Sequence, residues 1–162
     1  MTRALDLGCG LRPRNHFNAT ESYGIDVRTD VENRVVQADL VIDPIPYGDA
    51  LFDYVTAFDF LEHVPRILYA PRRRNPFVEI MNEIWRVLRN EGLFLSFTPA
   101  FPHGPAFRDP THVNIITEET FPLYFGNGYR WASMYGFTGN FDIVSQEWQG
   151  PHLVSLLKKV PV

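Results

Sequence analysis

Asp6, Gly8, Gly10 and Asp26 have the types and spacing to hold a nucleoside. Ala4-Leu5-Asp6-Leu7 reads as a short apolar strand, and Gly8 and Gly10 make the tight turn after it. Glycines there let backbone N–H groups approach a ligand closely. Tyr23-Gly24-Ile25-Asp26 reads as a second strand ending in an acid, sixteen positions past Gly10. A carboxylate at that strand tip is placed to take both hydroxyls of a ribose. Turn and acid together describe a nucleoside-binding α/β crevice.

Which nucleoside follows from what is missing. Dinucleotide sites use G-x-G-x-x-G, whose third glycine lets a helix aim its N-terminus at a pyrophosphate. Here Gly8-x-Gly10 runs into Leu11-Arg12-Pro13, without the third glycine. Asp6 would repel a pyrophosphate but suits an ammonium. A cationic, phosphate-free nucleoside fits better than a nicotinamide dinucleotide, and S-adenosylmethionine (SAM) is one. Cys9 sits inside the turn and reads as small packing filler rather than a nucleophile.

On these residues the chain resembles the class I SAM-dependent methyltransferases, whose first motif is matched by Asp6-Leu7-Gly8-Cys9-Gly10. The resemblance continues through Ala38-Asp39-Leu40, through Phe52 to Val64 with its Leu61-Glu62-His63 turn, and through Ile84 to Phe94. It covers roughly residues 3 to 115, and resembles most a small type-11-like group with an Asp109-Pro110-Thr111-His112 segment after strand five. It implies a cofactor set of Asp6, Gly8, Cys9, Gly10, Asp26, Val27, Asp39, Leu40 and Phe58. Asp26 would hold the ribose and Asp39 would lie near the adenine. The same resemblance implies an α/β, Rossmann-like, mostly parallel seven-stranded sheet with an antiparallel C-terminal strand.

Methyl transfer from a sulfonium is an in-line displacement that asks mainly for positioning and desolvation. An oxygen acceptor also needs a base or a metal. Imidazoles near the strand ends are the natural bases, and His63, His103 and His112 are there. His112 leads, in a loop stiffened by Pro110 with Asp109 beside it to orient the ring; His63 is second, and His103 reads as a turn residue. Asp59-x-x-Glu62-His63 resembles the Glu-x-x-Glu-His metal signature of ubiquinone-pathway and small-RNA 2′-O-methyltransferases, with His112 as a downstream ligand. Aspartate departs from that signature, the Leu-Glu-His turn is widespread in metal-free members, and no metal is expected. Ala57-Phe58-Asp59-Phe60 lacks the Asn/Asp-Pro-Pro-aromatic motif of base methylation. The expected reaction is methylation of a small-molecule or glycan hydroxyl. The alternative is a non-catalytic SAM-fold binding protein, or an enzyme completed by a partner subunit.

These residues need a scaffold, and the chain alternates strand and helix without repeats. Strands are expected at about 3–7, 22–26, 34–38, 52–57 and 92–98, with the ligand at the carboxyl ends of the first, second and fourth. A helix over 76–90 follows from Phe77, Ile80, Met81, Ile84, Val87 and Leu88 on one face, with Gly92 as cap. The first crossover, 11–22, holds about two helical turns and is abnormally short. Another helix starts at Thr117-Glu118-Glu119-Thr120, and 140–149 with 152–159 read as an antiparallel pair. The aromatic-rich stretch from Tyr124 to Tyr135 reads mostly as core, and Arg72-Arg73-Arg74 as a solvated loop.

The 162 residues suit one minimal domain spanning 1–162, without N-terminal lid helices. Cover for the cofactor would then come from loop 64–76, loop 99–116 or a second copy, so a homodimer is expected; a monomer in solution with and without SAM would remove it. A net charge of −4 argues against nucleic acid. One cysteine and no long apolar run fit a cytoplasmic protein without a membrane span.

Overall fold

The computed structural model describes residues 1–162. Its strands are β1 (Arg3–Leu7), β2 (Glu21–Asp26), β3 (Val35–Gln37), β4 (Phe52–Phe58), β5 (Leu88–Pro99), β6 (Phe141–Gln149) and β7 (His152–Lys159). They form one sheet in the order β3-β2-β1-β4-β5-β7-β6. β1 to β5 pair in parallel, β7 runs antiparallel against β5, and β6 antiparallel against β7. This is the expected α/β sheet. Strand order reverses between β1 and β4, which opens a crevice at their carboxyl ends. Ala4, Leu5, Asp6 and Leu7 are all buried, as a central parallel strand requires.

The helix α1 (Pro76–Val87) packs on one face of the sheet. Phe77, Ile80, Met81, Ile84 and Val87 join Leu5, Leu7, Ile25, Val55, Phe94 and Leu157 in one apolar core. The helix stops three residues before the expected end, because Leu88 is extended (φ −70°, ψ 141°) and already pairs with Phe52. Gly92 is therefore no helix cap but a residue of β5. A β-carbon there would lie 2.8 Å from the Arg89 carbonyl oxygen and 3.1 Å from that of Asp53. Glu91, at φ +63°, makes the bulge between the Phe52 and Tyr54 pairings.

The first crossover departs further, since residues 8–20 contain no helix. Asn15 closes this segment on itself: its Oδ1 accepts from the Ala19 N–H at 2.8 Å and its Nδ2 donates to the Ala19 carbonyl at 2.9 Å. Those bonds, with Pro13, compete with a helical ladder. The loop lies on the sheet face opposite α1, where Phe17 stacks on Tyr54 at 4.5 Å. Beyond it, strand alternation points Leu93, Phe97, Val154 and Leu156 to the same face, half-buried with no helix over them.

The segment from Thr117 gives only a short helix, α3 (Thr120–Tyr124), after a turn in which the Thr117 N–H donates to Thr120 Oγ1 at 2.9 Å. A one-turn helix, α2 (Pro105–Arg108), interrupts the loop after β5. The closing pair β6 and β7 falls where expected.

Candidate active site

Gly8 and Gly10 both take left-handed backbone, φ +66° and +65°. A side chain at Gly8 would also place its β-carbon 2.5 Å from the Phe60 ring. At Gly24 the β-carbon would meet Cys9 Sγ at 2.3 Å, so turn and β2 touch only because residue 24 is glycine. The Gly10 N–H donates to Asp26 Oδ2 at 2.9 Å, and Arg28 Nε donates to Asp26 Oδ1 at 2.9 Å. Burial pulls the Asp26 carboxyl up, but the Arg28 and Gly10 hydrogen bonds outweigh it and hold the group below its ordinary value. Asp26 is thus an ionised acceptor at the tip of β2, tied to the glycine turn.

Asp6 departs from its expected role. It is 2% exposed, and both oxygens are taken by chain groups: Oδ1 by Thr56 Oγ1 at 2.7 Å, Oδ2 by the Arg14 N–H at 2.8 Å. Burial raises its pKa despite those bonds. In this geometry Asp6 anchors the loop after the turn rather than presenting a carboxylate to an ammonium. Cys9 behaves as filler, its thiol pushed up to about 12 by burial and then by Asp6 and Asp26. Such a thiol is not a nucleophile near neutral pH.

The rest of the expected cofactor set is dispersed. Val27 is exposed just past β2. Asp39 follows β3 and closes its own turn, its Oδ1 accepting from the Val41 N–H at 3.1 Å. The Leu40 side chain belongs to the core. Phe58 lies under Arg14, 4.6 Å from its guanidinium, and the ring against the glycine turn is Phe60. Sequence gave no sign of Phe60 or Arg28, because their roles depend on where β4 and β2 end.

Past β4, the 3-10 turn Leu61–His63 meets the loop after β5. One carboxylate oxygen of Glu62 and one ring nitrogen each of His63 and His112 lie within 4.8 Å of one another. Both tautomers follow from the partners. Thr111 Oγ1 donates to Asp109 Oδ1 at 2.7 Å, so its contact with His63 Nδ1 at 3.0 Å requires that nitrogen to be the donor. His112 Nδ1 faces the Pro105 carbonyl at 3.1 Å and must donate as well. Each ring keeps a free lone pair on Nε2. Asp109 does not orient His112 through Nδ1; its Oδ2 lies 3.9 Å from Nε2 instead.

Glu62 is 1% exposed. Its Oε2 accepts from Thr98 Oγ1 at 2.7 Å, and its Oε1 is buried without a partner. Burial pushes its pKa up more strongly than the Thr98 bond pulls it down. Asp59 lies outside the cluster: at φ +48° it turns away to meet His152 Nε2 at 2.9 Å. Of the four residues that resemble a metal signature, three therefore come together. His103 sits in a turn, also apart, its ring centre 4.9 Å from that of Trp148.

The loops after β4 and β5 that carry this cluster also wall a cavity of about 950 Å³, with α3 and the turn Trp131–Tyr135, though Glu62, His63 and His112 do not themselves line it. The aromatic stretch, expected to be mostly core, is not. Phe125 is buried, whereas Tyr124, Tyr129, Trp131 and Tyr135 are exposed. Arg73 lines the cavity, while Arg74 pairs with Glu79.

A family model described as a methyltransferase domain matches residues 5–96. The chain belongs to that methyltransferase family, and its sheet order and glycine turn are those of a class I SAM-dependent methyltransferase. No curated protein matches it. The YcgJ protein of Bacillus subtilis superposes with a TM-score of 0.56 at 20% identity, covering 90% of this chain and 65% of that one. This chain thus spans slightly less than two thirds of that protein's length. The chain solved in complex with the Haloferax volcanii Trm112 methyltransferase activator gives 0.64 at 13% identity, covering 99% and 83%. The 1,6-didemethyltoxoflavin-N1-methyltransferase of Burkholderia thailandensis, solved with 1,6-didemethyltoxoflavin and S-adenosylhomocysteine (SAH), gives 0.63 at 16% identity, covering 98% and 71%. At these identities the likeness is one of fold. No helix is long and apolar enough to cross a membrane.

Proposed function

We propose that this protein transfers the methyl group of SAM to a hydroxyl of a small-molecule or glycan acceptor. The observation that carries the reading is the Gly10–Asp26 bond at the strand switch, with His63 and His112 presenting free Nε2 atoms just past β4. Asp26 takes the ribose hydroxyls on its remaining lone pairs, Gly8 and Gly10 leave the turn bare of side chains so that the ligand can approach its backbone, and Asp39 lies towards the adenine. SAM, when bound, supplies an electrophilic methyl: the acceptor oxygen bonds the methyl carbon as the carbon–sulfur bond breaks, leaving SAH. His112 Nε2 takes the hydroxyl proton, and the Asp109 carboxylate steadies the charged ring. His63 lies edge-on to His112, ring centres 4.8 Å apart, and holds it in place. Removing a general base typically costs about 10²- to 10⁴-fold in rate. His112→Gln should lower SAH formation on a hydroxylated acceptor panel by that order with SAM affinity kept. Full turnover in the variant would remove the base assignment.

The unpartnered Glu62 oxygen favours a second reading of the same cluster. A carboxylate and two imidazoles whose far nitrogens are fixed by Thr111 and Pro105 form a donor set for a divalent transition ion. Ligands about 2.1 Å from a tetrahedral ion stand roughly 3.4 Å apart, so donor atoms now up to 4.8 Å apart would have to close in. Such an ion would lower the acceptor hydroxyl's pKa in place of a base. Titration with Co²⁺ separates the two: a visible absorption band lost in His63→Ala supports the ion, whereas no band and unchanged turnover in EDTA leaves His112 as base.

A further inference from the structure

The cavity walled by the loops of the histidine pair carries chemistry that hydroxyl methylation alone does not use. Twelve of its eighteen lining residues are apolar, so it is built for a largely apolar ligand. Ile67, Phe101, Phe107, Tyr124, Trp131 and Tyr135 line it and are each between 38% and 54% exposed. Large apolar side chains left to water around a single cleft mark a surface that a ligand covers. Five of the six are aromatic rings lining the same space, and Tyr124 and Trp131 meet edge to face at 5.7 Å. A flat ring packs best among them.

The second feature is charge. Arg66 and Arg73 both line the cavity, and neither has a carboxylate within ion-pair distance. Glu119 is the one acid in the lining. Arg66 is not a loose surface cation. Its Nε donates to Asn114 Oδ1 at 2.7 Å and its Nη2 to the Ile115 carbonyl. Asn114 is fully buried and donates through Nδ2 to the Leu61 carbonyl at 3.0 Å and through its N–H to that of Glu62 at 3.0 Å. The guanidinium is thus braced against the backbone that carries Glu62 and His63. Every acceptor it holds is neutral, so its positive charge is left for something outside the chain.

We infer that the acceptor is an aromatic acid: a planar ring system bearing a carboxylate, which Arg66 receives while the ring packs among Tyr124, Trp131 and Phe107. This rests on the methyl-transfer reading and names its substrate class. A braced guanidinium suits the two oxygens of a carboxylate, and an anion held by Arg66 lies at a fixed offset from the histidine cluster. At about 950 Å³ the cavity has room for a bicyclic ring system.

The test is calorimetric titration of the SAH-loaded protein with 6-hydroxy-2-naphthoate and with its primary amide, which keeps the ring and hydroxyl but not the charge. The expected result is at least tenfold tighter binding of the acid, with Trp131 fluorescence changing on saturation and the change lost in Trp131→Phe. Arg66→Gln should bring acid and amide to equal affinity, and Arg66→Lys should restore part of the difference. The wild-type comparison stands alone if Arg66→Gln does not fold. Acid and amide binding equally, or neither binding, would overturn the substrate class while SAH binding upholds the cofactor reading. A protein that cannot be loaded with SAH would take down both.

Discussion

At the residue scale, burial of two carboxylates ties the site to pH. Asp6 and Glu62 are nearly inaccessible, and each takes a threonine hydroxyl from a neighbouring strand, Thr56 and Thr98. Those partners lie 50 and 36 positions away, beyond any local pattern. Burial raises both pKa values, and the consequence for stability has a definite sign. A carboxyl whose folded pKa is raised contributes fully below its ordinary pKa and loses that contribution as pH rises through the folded value. For Glu62 the loss begins above about 4.5, its ordinary value. Glu62→Gln keeps an oxygen for Thr98 and removes the ionisation. Its melting temperature, measured in EDTA, should therefore gain on that of the unaltered protein as pH is raised from 4.5 towards 8. A gap that stays constant across that range would show that Glu62 does not titrate in the folded state.

At the element scale, the glycine turn was readable because its meaning is local: two left-handed residues after an apolar strand leave few alternatives. Asp26 was readable for the same reason, as the last residue of a short strand. What failed were features set by distant chain. Gly92 resembles a helix cap in sequence, yet α1 ends at Val87 because Leu88 is claimed by Phe52 across the sheet. The exception is the first crossover, which has room for two helical turns but forms a loop that Asn15 closes locally, on Ala19 four residues on. Tyr124, Trp131 and Tyr135 look like core and instead wall a cavity. The turn's dependence on glycine is open to test. Gly8→Ala adds a β-carbon at φ +66° and 2.5 Å from Phe60, so Phe60 and the turn must shift. Left-handed strain alone costs roughly 1–2 kcal/mol. The variant should melt several degrees lower and bind SAM at least tenfold more weakly. Unchanged SAM affinity would mean that the turn does not contact the ligand.

At the scale of the whole molecule, strand order does most to position the chemistry. The reversal between β1 and β4 sets the glycine turn and Asp26 on one side of a crevice and Leu61–His63 on the other. The loop after β5 then brings Asp109, Thr111 and His112 over from the next strand. Architecture and crevice followed from the order of motifs along the chain. The histidine pair did not, since His63 and His112 meet only through strands β4 and β5. Helices cover one face of the sheet, while the other has the loop after β1 and half-buried Leu93, Phe97, Val154 and Leu156.

The cofactor reading is tested most directly by calorimetric titration with SAM, SAH and NAD⁺, on the unaltered protein and on Asp26→Ala. A charged acceptor bond is worth about 1.5–3 kcal/mol, or roughly ten- to a hundredfold in affinity. The expected result is binding of both adenosyl ligands, none of NAD⁺, and a loss of that size in the folded variant. Folded protein that binds neither adenosyl ligand, or Asp26→Ala that binds them equally well, would contradict the reading.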